Sequence, residues 1–257
     1  DTVVIEFGPT GTTHFSMGFF GEIGVEQENR LFATHMKEDD VIMGCTETLE
    51  EAIMEVDKWT SPKAIFVVAS SVSAIIGTDL KGVCKSIQPK VSAKLFALEN
   101  GGFRGDYTAG VKIAYDILFK NMLGEKTAKI DNTYNILGAS LYSYRMRSDI
   151  NEIKDLMKDS FNYDVIATLC VDTSEEIIKD SVKAKLNIVI SFEALELAKY
   201  MKEVYDIPYI YGAPYGYAGT LEWLKKISQL MDTTINDKVT HGLMKRIMSI
   251  KHYPMYK

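Results

Sequence analysis

The chain has 257 residues, 46% hydrophobic and 25% charged, enough to bury one large core or two of ordinary size. A formal net charge of -6 weighs against nucleic acid as a partner, which asks for a basic face. No apolar run approaches the roughly 18 residues of a membrane span, and no charged-then-apolar leader opens the chain, so no membrane partner is expected and the expected compartment is the cytoplasm.

Residues Thr2 to Phe7 read as a β-rich run that stops at the turn Gly8-Pro9-Thr10-Gly11. Thr12 to Arg30, carrying His14, reads as a short helix and an irregular loop. Leu31 to Met36 reads as a second strand, with His35 near its end. The next helix carries Leu49, Ala52, Ile53 and Val56 at helical spacing behind a capping box of Thr48 and Glu51, and it stops before Ser61-Pro62. The apolar run Ala64 to Val68 then breaks into Ser70-Ser71 and Ile76-Gly77-Thr78-Asp79, the pattern of a buried strand opening into a polar turn and a new helix. That helix ends at Pro89. Val91 to Leu98 is a further strand, and after Asn100, Gly101, Gly102 and Arg104 comes a helix with Val111, Ala114, Tyr115, Leu118 and Met122 on one side.

The polar segment Leu123 to Thr133 has no hydrophobic period and marks the expected domain boundary. The expected domains are residues 1–127, residues 128–235, and a basic helical segment 236–257. Beyond the boundary the alternation resumes: strand 134–138, helix 149–160, strand 164–170, a helix opened by Thr173 and Glu176, strand 186–190 ending at Ser191, a helix with Leu197, Ala198, Met201 and Tyr205, strand 207–212, and a helix with Leu221, Leu224 and Ile227. Two such blocks predict an α/β fold of two Rossmann-like domains, each a parallel sheet flanked by helices. Right-handed crossovers gather each block's strand-to-helix turns on one edge. Thr12, His14, His35, Ser70, Ser71, Asn100 and Gly102 then share one rim, and Gly138, Cys170, Asp172, Ser191 and Tyr211 share the other. A cleft between the domains is the expected site.

Motif by motif, the chemistry is thin. The first turn lacks the Gly-Lys-Ser/Thr ending of a P-loop, and no GxGxxG follows the first strand, so a nicotinamide enzyme is disfavoured. Cys45, Cys84 and Cys170 are scattered and form no CxxC pair, which reads as reduced thiols without a structural metal. Arg104, between glycines at a helix start, reads equally as an anion or partner contact and as a surface arginine. Tyr215 and Tyr217, set among Gly and Pro, are candidates to line a pocket. The tail with His241, Lys245, Arg246, Lys251 and His252 reads more readily as a solvated helix, or a connection to further structure, than as a partner or membrane-surface helix.

Gly8-Pro9-Thr10-Gly11, Glu38 to Gly44, Ile76-Gly77-Thr78-Asp79, Gly102-Phe103-Arg104-Gly105, Tyr134 to Gly138, Leu186 to Val189 and Tyr205 to Pro208 occur in the order found in the nitrogenase component 1 family. The chain resembles that family over nearly its whole length. The resemblance implies three Rossmann-like domains, of which the third is not expected here. It also implies pairing as a homo- or heterodimer, an ATP-dependent iron-sulfur reductase as partner, and an iron-sulfur cluster held by cysteines. By the same resemblance Thr12, Ser71 and Ser191 stand where the family places cluster or cofactor cysteines, and Lys112 stands roughly where it places a histidine. Hydroxyls are hard ligands and iron-sulfur clusters take thiolates, so a cysteine-ligated cluster is not expected in this chain alone.

Two functions follow from the resemblance. One is an oxidoreductase subunit working with a partner chain and the reductase. The other is a non-catalytic carrier or scaffold for a metallocluster or tetrapyrrole, touched by Thr12, His14, His35, Ser70, Ser71, Gly102, Arg104 and Ser191. A purely structural partner subunit is the blandest reading.

Overall fold

A computed structural model describes residues 2–14, 18, 30–44, 46–99, 101–102, 105–140, 143 and 145–251. The chain divides into two compact units, Asp1–Ile117 and Leu118–Lys257.

The first unit is built on strands β1 (Thr2–Phe7), β2 (Leu31–Ala33), β3 (Ala64–Ala69) and β4 (Lys94–Leu98), all parallel, in the order β2-β1-β3-β4. Its helices are α1 (Glu38–Met43), α2 (Glu47–Thr60), α3 (Ser71–Ile75) and α4 (Leu80–Ile87), and α5 (Tyr107–Met122) crosses the division between units. Val3, Ile5 and Phe7 of β1 and Ile65 and Val67 of β3 meet Leu49, Ile53, Leu80 and Ile87 from the helices in one core. Continuous apolar strands of this kind are what a parallel sheet covered on both faces requires.

The second unit repeats the plan. Strands β5 (Thr133–Leu137), β6 (Asp164–Leu169), β7 (Leu186–Val189) and β8 (Tyr209–Tyr211) form a parallel sheet in the order β6-β5-β7-β8. Helices α6 (Met146–Phe161), α7 (Glu175–Asp180), α8 (Leu195–Tyr205), α9 (Gly216–Met231) and α10 (Asp237–Lys251) accompany it. Every residue of β5 and β7 is buried, Asn135 and Asn187 included. The Asn135 side-chain amide donates to Asn187 Oδ1 and to the Ser181 carbonyl, each at 2.8 Å, while its Oδ1 is buried with no hydrogen-bond partner among the described residues. The tail helix α10 packs Val239 and Leu243 on the core of this unit and exposes most of its other described residues.

Several sequence expectations shift by a few residues. Thr46, not Thr48, precedes α2, and no side chain caps that helix. The cap of α7 is Ser174, whose hydroxyl accepts from the Ile177 amide at 3.3 Å. Thr173 is diverted, donating instead to the Thr168 carbonyl at 2.6 Å. Residues 88–90 form a 3-10 turn, so β4 begins at Lys94 rather than Val91. Helix α6 starts at Met146 rather than Asp149, and no described helix is long and apolar enough to cross a membrane.

Candidate functional site

In each sheet the chain leaves the first strand toward one side and the third strand toward the other, and ligands in open α/β sheets bind at that switch point, beyond the carboxyl ends of the strands. In the first unit it lies between β1 and β3. Gly8 follows β1 there and Ser70 follows β3, with the Ser70 amide donating to the Phe7 carbonyl at 3.2 Å. A Cβ on Gly8 would stand 2.4 Å from both Ser70 Cβ and Oγ, a distance only glycine permits. Gly101, after β4, closes the same knot, since a Cβ on it would lie 2.6 Å from the Ser70 carbonyl oxygen. Ser70 is 3% exposed, and its hydroxyl accepts from the Ser73 amide at 3.2 Å as the cap of α3. Its side chain therefore builds the turn, whereas Ser71, one residue on, is exposed.

Residues 10–14 are helical. Thr12 donates to the Pro9 carbonyl at 2.8 Å, and its oxygen lies 3.5 Å from where a Gly8 Cβ would be. Thr34, buried at the end of β2, accepts from the Gly8 amide at 3.1 Å. His35 takes a left-handed backbone with φ 52°, which ends β2 and points the chain back over the edge. Its Nδ1 is 2.5 Å from Thr10 Oγ1. Thr12, Thr34 and Ser70 are thus gathered about Gly8, and Thr10 holds His35 beside this turn. His14 is exposed and makes no hydrogen bond or ion pair among the described residues. Gly102 is exposed with φ 83°, and Arg104, Asn100 and Cys45 lie outside the described residues.

The second unit repeats the arrangement at its own switch point, between β5 and β7. Gly138, with φ 91°, meets Ser191 so closely that a Cβ would stand 2.8 Å from the Ser191 nitrogen. The Ser191 hydroxyl donates to Glu193, which is only 6% exposed. Neither Thr10, Thr34 nor Glu193 was singled out by sequence reasoning. Glu193 had a signal, an acidic residue two positions past a rim serine in an otherwise apolar stretch. Tyr215 and Tyr217 do line a cavity, of about 390 Å³, together with Asp149, Glu152 and Leu243. The Arg246 guanidinium lies 5.3 Å over the Tyr217 ring and donates to its hydroxyl at 3.0 Å.

A cysteine-ligated cluster does not fit the described residues. The first edge offers hydroxyls and imidazole. Cys84 is buried on α4, and burial, then the charge of Glu99, push its thiol up to about 11, so it stays protonated. Cys170 is exposed at the end of β6. Among the described residues no group of three or more His, Cys, Asp or Glu is placed to hold a metal ion.

The model of the nitrogenase component 1 type oxidoreductase family matches residues 1–250. The nitrogenase iron-molybdenum cofactor biosynthesis protein NifE of Clostridium pasteurianum is 34% identical over 236 residues, 90% of this chain and 50% of that protein. The nitrogenase molybdenum-iron protein alpha chain of Methanosarcina barkeri is 26% identical over 242 residues, 90% of this chain and 44% of that one. Among solved structures, nitrogenase Cp1 at pH 6.5 superposes with a TM-score of 0.76 at 26% identity, covering 97% of this chain and 48% of that chain. The chain spans about half the length of the relatives it matches. It belongs to the nitrogenase component 1 type oxidoreductase family.

Proposed function

We propose that this member of the nitrogenase component 1 family is a scaffold-type subunit, which helps hold a metallocofactor precursor as cargo and carries no electron-transfer cluster on its own residues. The observation behind this reading is the donor set at the two switch points. Thr12, Ser71 and Ser191 present hydroxyls where the family resemblance calls for thiolates, and hydroxyls are poor ligands for iron-sulfur iron. The similarity to cofactor biosynthesis proteins named NifE points the same way. Thiolate ligands would come from a partner chain in a homo- or heterodimer. Thr12, His14, His35, Ser71 and Gly102 at the first edge, Ser191 at the second, and Arg104 are the proposed contacts, with Ser70 holding the backbone at the first edge.

A second reading is a subunit of an oxidoreductase fed by an ATP-dependent iron-sulfur reductase. It is favoured by the match to the molybdenum-iron protein alpha chain over 90% of this chain. Iron and acid-labile sulfide in anaerobically purified protein, with mass by light scattering, separate the two. The scaffold reading expects a dimer with far less than one iron per chain. It also expects that the double variant Thr12→Cys, Ser71→Cys gains iron when supplied with ferrous iron and sulfide. Stoichiometric iron and sulfide in the wild-type chain would overturn it and favour the oxidoreductase. Colourless protein that takes up a tetrapyrrole instead would reassign the cargo.

A further inference from the structure

We propose that the second unit carries a separate binding site for a small oxyanion, of the phosphate or sulfate kind, between helix α6 and the end of strand β6. This does not rest on the scaffold reading. A cavity of about 220 Å³ opens there, below the roughly 300 Å³ at which drug-sized ligands begin to fit. Arg147, Asn151 and Lys154 reach it from α6, where their spacing of four and three residues places them on one face of the helix. Thr168 and Asp172 reach it from β6 and the turn that follows, and Ile150 and Val171 supply its apolar flank.

The polar groups are mostly donors in search of an acceptor. Thr168 is 8% exposed and its hydroxyl has no partner among the described residues, although its carbonyl is taken by the Val171 amide and the Thr173 hydroxyl. Those two bonds fix the turn that follows Thr168. Lys154 is half-buried, and neither it nor the Asn151 amide has an ion-pair or hydrogen-bond partner among the described residues. Arg147 is paired with Asp172 at 2.6 Å, on the exposed side. An ammonium, a guanidinium, an amide and a hydroxyl facing one carboxylate leave the cavity net positive. Guanidinium and ammonium can only donate, which calls for a ligand made of acceptors. A tetrahedral oxyanion meets that demand in size, charge and bonding, with Asp172 as the counter-ion that Arg147 gives up when the ligand arrives.

Inorganic phosphate is the probe, added to the full chain at ionic strength held constant with chloride and followed by thermal shift and calorimetry. The wild-type chain should be stabilised saturably. Lys154→Gln and Thr168→Val should each weaken binding, the lysine change by about tenfold, while Asp172→Asn should tighten it. Circular dichroism confirms that the variants fold, and Lys154→Gln, on the half-buried helix face, keeps the test alive if Thr168→Val does not. Stabilisation no greater than that from chloride, or wild-type affinity in Lys154→Gln, would overturn the proposal. So would weaker binding in Asp172→Asn.

Discussion

Replacing Gly8 with alanine tests whether the first edge is held by a contact or merely adorned by it. The new Cβ would stand 2.4 Å from Ser70 Cβ and Oγ. Neither atom is the far end of a flexible chain. Ser70 is anchored by its amide on the Phe7 carbonyl and by its hydroxyl under the Ser73 amide, and is 3% exposed. Overpacking of this kind costs about 1–3 kcal/mol. Gly8 does not have a left-handed φ, so the whole cost is steric and Ser70→Gly should relieve it. Glycine in place of a serine cap costs only a few tenths of a kcal/mol, so the double variant should lie near wild type, with a coupling of about 1–2 kcal/mol. Gly138→Ala is the contrast. There φ is 91° and the clash is with the Ser191 nitrogen at 2.8 Å, so Ser191→Gly should recover less than half of the loss. Urea unfolding gives the magnitudes, and hydrogen exchange of peptides from β1 and β3 localises them, since two units need not unfold in one step. The reasoning fails if Gly8→Ala loses less than about 0.5 kcal/mol, or if Ser191→Gly rescues Gly138→Ala as fully as Ser70→Gly rescues Gly8→Ala.

Four further outcomes rest on single residues or on their exposure. The Cys84 thiol is raised from 9.0 to about 11 by burial and then by the charge of Glu99. The folded chain keeps a proton that the unfolded chain loses, so stability falls as pH rises through that window. Cys84→Ala should flatten this alkaline slope, and an unchanged slope would count against it. Thiol reagents should label exposed Cys170 in the native state and Cys84 only on unfolding. The Asp57 carboxylate accepts from the amides of Ser92 at 3.0 Å and Ala93 at 2.8 Å, tying the approach to β4 onto α2. Asp57→Ala should cost about 1.5–3 kcal/mol, with faster exchange at those two amides, and Asn should retain part of the effect. Ser61, with φ 45°, ends α2 in a left-handed conformation. Ser61→Gly should gain about 0.5–1 kcal/mol, seen as a melting temperature a few degrees higher, whereas a loss would refute the strain.

Strand identity was legible because parallel strands covered on both faces leave unbroken apolar runs, as in Ala64 to Ala69, which carries no polar residue. Helix starts were less so. A capping box is a local pattern, and at Thr173 a carbonyl five residues back competes for the hydroxyl and wins, leaving the cap to Ser174. The start of β4 moved for a similar reason: Gln88 bonds the Ala93 carbonyl and the Leu95 amide, each at 2.9 Å, and holds the preceding turn out of the sheet. At the candidate site, the rim membership of Thr12, Ser70 and Ser71 could be read from strand-to-turn alternation alone. The Gly8–Ser70 and Gly138–Ser191 contacts could not. They depend on which strands are neighbours and in what register, and periodicity within one segment carries neither.

That pairing also makes the two edges unequal as places to introduce metal binding. At the first edge the close contact uses up Ser70, while Ser71 remains exposed, so a thiolate put there would be hydrated and free to bind. At the second edge the residue in contact with the glycine is Ser191 itself, and its hydroxyl is committed to Glu193, which is buried. A cysteine at 191 would form its thiolate against a buried carboxylate, which favours the protonated thiol and removes the ligand. Ser191→Cys alone should therefore take up no more iron than wild type when supplied with ferrous iron and sulfide, and its thiol should react slowly at neutral pH. Adding Glu193→Gln removes the opposing charge while keeping a hydrogen-bonding side chain, and should speed that reaction. A Ser191→Cys variant that reacts as fast with Glu193 present as without it would show that the carboxylate does not control this position.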